Sequence, residues 1–480
     1  MPRGLVSALV VLMLAAPATC AAQDPNAKVL DWESGKNKSY LIPALEIPAF
    51  NILLNGVDRL LFEHSTDYDV DGHTISRNFQ STPHFDKDPF SVNQIGHPYQ
   101  GSVYYGLARS AGLGYWESLL YTIGGSYMWE IAGETTRPSI NDLVSTGVGG
   151  SFVGEAFFRM SSLLLEGGGE TPGFWRELAA AVISPPTAVN RWAFGERFRP
   201  VFRSHDPAIF LRFRIGFTLT TDVDSGGLVD QPKEQEGNLD FLMMYGLPGK
   251  PGYQYRRPFD FFLFEFTAVP NASSAQNAIE NVTIRGLLLG TNYEWGESYR
   301  GLWGLFGGYE YLSPQVFRLA ATNVALGTVA QWWLTGTVAL QGTVLAGAGF
   351  GAAGTVGDKD ERDYRYGVIP HAIVGLRLIF GDLAMLEAQG RQYWIVGVNA
   401  GGSPRAEASE HETINRVGAG LTVRVFGPHA LSLSYLLTTR DARVTGQDRH
   451  QFVETITLSY NFLGHRRFGA VDWRPGEIDR

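Results

Sequence analysis

The densest group of side chains able to do chemistry lies between positions 88 and 159. In order it holds Asp88, Asn93, His97, Arg109, Trp129, Glu130, Glu134, Ser139, Asn141, Asp142, Glu155 and Arg159. Carboxylates and an imidazole are ligands for zinc, manganese or iron, and Glu130 and Glu134 are spaced one helical turn apart. The stretch lacks an H-E-x-x-H pattern, however, and Arg109 and Arg159 are at hand to neutralise carboxylates. Buried charges need partners, so a structural network of these twelve residues is the favoured expectation, with no metal and no cofactor. His97, Glu130, Glu134 and Asp142 are the candidates if there is catalysis. Ser126 and Ser151 follow glycine pairs but sit in no G-x-S-x-G elbow.

Two smaller signals lie nearby. Asp67, Asp69, Asp71 and Gly72 imitate the start of a calcium loop, but the twelfth position is Asn78 rather than Glu, so an acidic loop is expected. Pro98 should push His97 into extended geometry, which predicts a turn there.

These residues need helices to position them. Positions 42–63 repeat apolar residues at helical spacing, with Phe50, Leu53, Leu54, Val57, Leu60 and Leu61 on one face. A polar stretch follows over 64–88. Residues 100–132 predict a helix or helix pair broken near Gly112 and Gly114, Pro138 to Asp142 a helix start, 148–165 a helix whose Gly150 and Gly154 allow close packing, and 173–183 a helix ended by Pro185-Pro186.

From about 207 to 463 the period changes to two. In Tyr364 to Phe380 the even positions are apolar, while the odd ones hold Arg365, Gly367, His371, Gly375 and Arg377. Ile209 to Leu219, 413–426 and 452–462 repeat the pattern. There are about twelve such segments, many as long as a tilted bilayer-crossing strand. Connections near Gly381-Asp382, Thr335-Gly336 and Gly427-Pro428 are tight, whereas 352–363, 398–410 and 441–450 are long and polar. That alternation suits a barrel with a periplasmic end and an outer end, and it places both barrel termini on the short-turn side. The connection 247–256 should then be short and is not. The charge-free run from Leu319 to Gly357 could be a membrane helix by length, but its Gly, Thr and Gln content and its neighbours favour strands.

The strands define a second candidate site. Arg212, Arg214, Arg377, Arg391, Arg416 and Arg424, with Arg285 and Arg365, fall on the inferred inner face, opposed chiefly by Glu387. A basic lumen favours anions; the competing expectation is arginines paired with acids from loops or from the helical region.

Composition agrees. The chain has 480 residues, 57 of them Gly, with 18% charged residues, 12% aromatic and a net charge of -9. Its mean hydropathy is -0.07. These values exclude a disordered chain and a polytopic helical membrane protein, and argue against nucleic acid as partner. The single cysteine, Cys20, lies in an N-terminal segment with a positive start, an apolar core and small residues, which predicts a signal peptide over residues 1–22.

The ordered motifs GHPY (96–99), AR (108–109), GSxxWE (125–130), PSIND (138–142) and GExxxR (154–159) resemble an uncharacterised bacterial protein family, defined by a domain of unknown function and assigned to the outer membrane. The resemblance covers about residues 40–190 and implies localisation, not activity. The expected architecture is mainly β: an outer-membrane antiparallel barrel of about twelve strands over 205–463, behind a helical periplasmic or plug module over 23–190 and ahead of a tail over 464–480. Outer-membrane lipid and an anionic solute or lipid are the expected partners. The expected role is structural, transport or lipid-handling; the alternative is a barrel-associated enzyme acting on lipid or glycan.

Overall fold

The computed structural model describes residues 28–61, 65–86, 88–169, 171–227, 235–270, 278–356, 361–397, 411–444 and 447–474. The expected signal segment and the connection 398–410 lie outside them. The chain divides into two units, residues 1–205 and 206–480.

The first unit is helical: α1 Leu41–Leu61, α2 Gly72–Gln80, α3 His97–Ser110, α4 Tyr115–Ala132, α5 Gly150–Glu166, α6 Phe174–Ile183 and α7 Pro185–Phe194. Wide π-type turns, Val92–Gly96 and Leu143–Gly149, lead into α3 and α5. At the centre α3 is buried on nearly every side. Glycine makes this crossing feasible: a Cβ on Gly101 would lie 1.9 Å from the Thr146 carbonyl, and one on Gly150 would lie 2.5 Å from Gly101 Cα.

One expectation fails in this unit, and two local features go beyond the sequence reading. His97 is helical (φ -62, ψ -48) rather than extended, because its N–H reaches back to the Val92 carbonyl across the π turn and the widened turn admits Pro98. The polar stretch 64–88 contains α2, nucleated by a capping box in which Asp71 accepts from Thr74 N–H, so Asp71 is a cap and not a cation ligand. Pro185-Pro186 ends α6 but also starts α7, where a missing N–H costs nothing.

The second unit is a closed twelve-stranded antiparallel barrel in which β1 pairs with both β2 and β12. The strands are β1 Ile209–Asp224, β2 Gln235–Tyr245, β3 Phe262–Ala268, β4 Ile279–Trp295, β5 Tyr299–Leu312, β6 Phe317–Trp333, β7 Val338–Thr355, β8 Tyr364–Phe380, β9 Ala384–Gly397, β10 His411–Phe426, β11 His429–Val444 and β12 Gln447–Leu463. The run free of charge is β6 and β7, not a helix. Alternation sorts the wall as expected. On β1, Phe213, Ile215, Phe217 and Leu219 face outward with 41–52% of their surface exposed, while Arg212 faces inward with 4%. Both barrel termini lie at the short-turn end, where β4–β5, β6–β7, β8–β9 and β10–β11 are joined by tight turns.

The expected long connection at 441–450 is instead two strand tips. Asp441 pairs with His450 and Arg443 with Asp448 across the ladder, so polar residues extend β11 and β12 past the apolar belt. The long connection after β2 folds into the barrel mouth. Gly246, at φ +73, allows the reversal: a Cβ there would meet the Asp260 carbonyl at 1.9 Å. Asp260 then accepts from Arg256 N–H (2.9 Å) and Arg257 N–H (2.7 Å), and Phe259 and Phe261 are buried.

The tail is the feature the period-two pattern did not reveal. Residues Phe468, Ala470, Val471 and Trp473 are buried in a layer with Phe210, Leu242, Met244, Trp333, Ile379 and Met385, all on inward positions at the short-turn end. The Gln331 amide donates to the Val471 carbonyl (2.6 Å) and accepts from the Val471 N–H (2.8 Å). Trp333 Nε1 and Gln341 Nε2 donate to the carbonyls of Val471 and Gly469 (both 3.0 Å). The short-turn mouth is therefore filled by the chain's own C-terminal segment.

Replacing Gln331 with Leu orphans the buried Val471 N–H, while Trp333 still serves the Val471 carbonyl, at a cost of about 1–3 kcal/mol. Trypsin is expected to cut Q331L after Arg466 and Arg467 at least several-fold faster than wild type, with heat-modifiable mobility intact. Equal cleavage rates would show that Gln331 does not hold the tail.

Candidate functional site

The twelve candidates of the helical unit separate into two clusters. In the first, Glu155 lies between two arginines. Its Oε2 accepts from Arg109 Nε (2.9 Å) and Tyr105 Oη (2.8 Å), and its Oε1 from Arg159 Nε (2.7 Å). Glu155 and Arg159 are 0% and 2% exposed. Both guanidiniums lie about 5 Å from the Phe202 ring centroid, at 5.0 and 4.9 Å. The two guanidiniums hold the Glu155 carboxyl below its usual range despite burial. A carboxylate this fully paired is structural: it fastens α3 to α5.

The second cluster is a knot of carboxyls with no arginine partner. Asn141 Nδ2 donates to Asp86 Oδ1 (2.6 Å) and to Asp142 Oδ1 (2.9 Å), bridging the two acids. Asn93 Nδ2 also donates to Asp86 Oδ1 (2.9 Å), and the Asp86 N–H to Asn141 Oδ1 (3.1 Å). The Ser139 hydroxyl donates to Asp142, and Ser139 N–H donates to Glu130 Oε2 (2.7 Å). His97 Nε2 stands 3.6 Å from Asp142 Oδ1, beyond hydrogen-bond reach. Glu134 is not on the helix with Glu130, because α4 ends at Ala132; it turns back to accept from Trp129 Nε1 (2.7 Å) and Thr136 Oγ1 (3.1 Å). Asp88 is half-buried beside the knot. The two wide turns bracket this cluster, one carrying Asn93 and the other following Asp142.

Burial drives the electrostatics. Desolvation, reinforced by neighbouring carboxylates, raises Asp86 and Glu134 to about 7 and Asp142 to about 8, and lifts Glu130 well above its usual range. Two carboxyls this close in a desolvated site disfavour ionising together. Asn93, Asn141, Asp142, Glu130 and His97 of the knot expose 0–6% of their surface, whereas Asp86 and Glu134 are half-buried. Ser126 and Ser151 donate to carbonyls of Asp142 (3.4 Å) and Gly147 (2.6 Å), not to His97. Among the described residues no group of three or more His, Cys, Asp or Glu side chains is placed to hold a metal ion. Asp86 was absent from the sequence candidates; its signal is two asparagines, Asn93 and Asn141, which need a shared acceptor.

The barrel interior holds the other site. A cavity of about 240 Å³ runs through the lumen. Most arginines on its wall are neutralised by acids on the strands themselves. Arg212 and Arg214 meet Glu387 (3.0 and 2.9 Å) and Asp240 (both 3.7 Å). Arg391 meets Glu265 at 3.0 Å, and Arg285 pairs with Glu310. Arg365 and Arg440 share Glu412 (3.1 and 2.9 Å). Arg377 is spent on the tail, donating to the Phe468 carbonyl and to Gln341 (both 2.7 Å). Arg424 is not a cavity residue: it caps turn carbonyls of Asp382 (2.9 Å) and His465 (3.1 Å) at the mouth. Arg416 lines the cavity and keeps no such partner.

The acid knot gives the helical unit a pH dependence of definite sign. Folded-state pKa values near 7 to 8 exceed the unfolded value near 4, so the folded unit holds more protons in that window and loses stability as pH rises. Asp142→Asn keeps the bridging geometry without the charge. It is expected to raise stability at pH 8 by about 1–3 kcal/mol and to flatten the decline between pH 5 and 8, measured by helical circular dichroism during thermal melting. A decline as steep as wild type would dissociate Asp142 from the effect.

No curated protein sequence matches the chain. Among solved structures it is similar to the NanC porin at 9% identity, covering 52% of this chain and 98% of that one, with a TM-score of 0.26. It is also similar to the outer-membrane channel DcaP of Acinetobacter baumannii at 6% identity, covering 53% and 96%, with a TM-score of 0.25. A third is the Pseudomonas putida toluene transporter TodX at 9% identity, covering 54% and 90%, with a TM-score of 0.22. Residues 82–186, which span both polar clusters from Asp86 to Arg159, match the family model of a domain of unknown function, DUF3943.

Proposed function

We propose that this protein is an outer-membrane β-barrel of a Gram-negative envelope, exported by its N-terminal signal, whose lumen is a closed chamber for small polar solutes. The observation that carries this reading is the contrast across one wall. Outward positions such as Phe213, Ile215, Val374, Leu376, Val423 and Leu458 leave 37–61% of their surface exposed, which in water would be a hydrophobic patch far beyond what a soluble monomer tolerates. Inward positions enclose a charged, polar cavity. A bilayer resolves the first fact and a hydrated solute the second.

Short turns mark the periplasmic end, so the helical unit is assigned to the periplasm. The role of plug passes from the helical unit to the tail, which already fills the short-turn mouth. The acid knot is assigned a structural role: most of its side chains are buried, and it specifies how α3, α4 and α5 meet. The enzyme alternative would need a route to it, and its residues are too enclosed to offer one.

Two measurements test this. The full chain is expected to co-sediment with outer-membrane markers on a sucrose gradient and to shift mobility on heating; recovery in the soluble or inner-membrane fraction would refute the assignment. In proteoliposome swelling, wild type is expected to admit small sugars slowly, and a chain ending at Leu463 several-fold faster. If removing the tail changes nothing, the tail does not close the lumen.

A further inference from the structure

Arg416 is the anomaly of the lumen. It lies on β10, directly across from Arg391 on β9 and Thr438 on β11. Two guanidiniums on opposed positions of neighbouring strands have Cα atoms only about 4.5–5.5 Å apart. Arg391 is fully occupied: it donates to Thr283 Oγ1 (3.0 Å), Glu265 Oε2 (3.0 Å) and Gln389 Oε1 (3.3 Å). Arg416 is 6% exposed, lines the same cavity, and its Nε and Nη1 have no hydrogen-bond acceptor. A buried guanidinium beside a second cation and without an acceptor is costly unless something enters to meet it.

The cavity wall also holds an unsatisfied anion. Glu280 occupies the bulge between the pairs Thr267–Asn281 and Ala268–Ile279, where β4 has one residue more than β3. Its carboxylate faces the cavity and makes neither an ion pair within 4.0 Å nor a side-chain hydrogen bond among the described residues. Every other strand-borne acid on this wall has a partner: Asp240 and Glu387 have Arg212 and Arg214, Glu265 has Arg391, and Glu236 accepts from Gln315 Nε2 at 3.0 Å. One cation and one anion thus face the same cavity without a direct partner among the described residues: they attract each other across it but make no ion pair within 4.0 Å. The space beside Arg416 is kept free by Gly418, the next inward residue on β10. The volume of about 240 Å³ is room enough for a small solute.

We propose that this cavity binds a small zwitterion of amino-acid type, its carboxylate on the Arg416 guanidinium and its ammonium on the Glu280 carboxylate. This rests on the chamber reading above and adds the chemical class of the solute. An anion alone would leave Glu280 open, and a cation alone would leave Arg416 open; a zwitterion satisfies both at once.

The test uses the full chain in detergent, titrated calorimetrically with three four-carbon probes: γ-aminobutyrate, butyrate and butylammonium. Wild type is expected to bind γ-aminobutyrate at least tenfold more tightly than either singly charged probe. Arg416→Gln is expected to lose at least tenfold for γ-aminobutyrate and for butyrate. Glu280→Gln is expected to lose γ-aminobutyrate to the level of butyrate, while butyrate binding is kept or improved. Equal affinity for butyrate and γ-aminobutyrate, untouched by Glu280→Gln, would overturn the assignment in favour of a simple anion site. Wild-type affinity in Arg416→Gln would overturn it entirely, as would absence of binding by wild type. Loss of heat-modifiable mobility in either variant would mark that residue as structural and overturn the proposal too. Sucrose-gradient position and heat shift of wild type report on the chamber reading separately, so a true outer-membrane barrel that binds none of the probes defeats only this proposal.

Discussion

A strand that crosses hydrocarbon has no water to satisfy its N–H and C=O groups, so the ladder must close on itself. Here it closes where β1 meets β12, with Phe213 opposite Phe462 and Phe217 opposite Leu458. That closure fixes the rest of the second unit. It makes every strand two-sided, sends Ile215 and Leu458 outward and Arg212 and Asn461 inward, and encloses a lumen that must be filled or hydrated. Closure also ties distant segments together. Arg212 on β1 reaches Glu387 on β9, 175 positions away, because both face inward near one level of the barrel.

The two units solve the problem of buried charge in opposite ways. In the lumen most cations and anions are matched strand against strand, and among the described cavity residues Arg416 and Glu280 are left without a direct partner. In the helical unit, Glu155 is matched by Arg109 and Arg159, whereas Asp86, Glu130, Glu134 and Asp142 are kept near neutral by retaining protons. The first device fixes geometry at any ordinary pH. The second makes the packing of α3, α4 and α5 depend on pH, because among the described residues an ionised acid there meets no arginine, only His97.

The strand pattern was legible because period two survives wherever one face is lipid and the other polar. The expected segment 364–380 coincides with β8 and 411–426 with β10. Lumen pairing was not legible: Glu265 and Glu310 are single acids in apolar strands, and only the register shows that Arg214 lies beside Asp240 on β2. The tail escaped because Phe468 to Trp473 has no period, and its contacts are backbone carbonyls held by Gln331, Gln341 and Trp333. α2 escaped because its stability comes from the Asp71–Thr74 cap rather than an apolar stripe. Among the polar candidates, the residue types were right but the grouping was not. Arg109 and Arg159 pair with Glu155 rather than with the other acids, and the acid knot centres on Asp86, which only Asn93 and Asn141 betray.

The central claim is that the wall of this barrel divides lipid from a polar lumen residue by residue. Nitroxide scanning of β8 in lipid vesicles, on a Cys20→Ser background, tests it directly. Labels at Ala372, Val374, Leu376 and Leu378 are expected to be accessible to oxygen and shielded from a polar nickel chelate. Labels at His371, Ile373, Gly375 and Arg377 are expected to show low oxygen accessibility, giving an oscillation of period two. An oscillation of period 3.6, or uniform access of the chelate along the segment, would contradict the account.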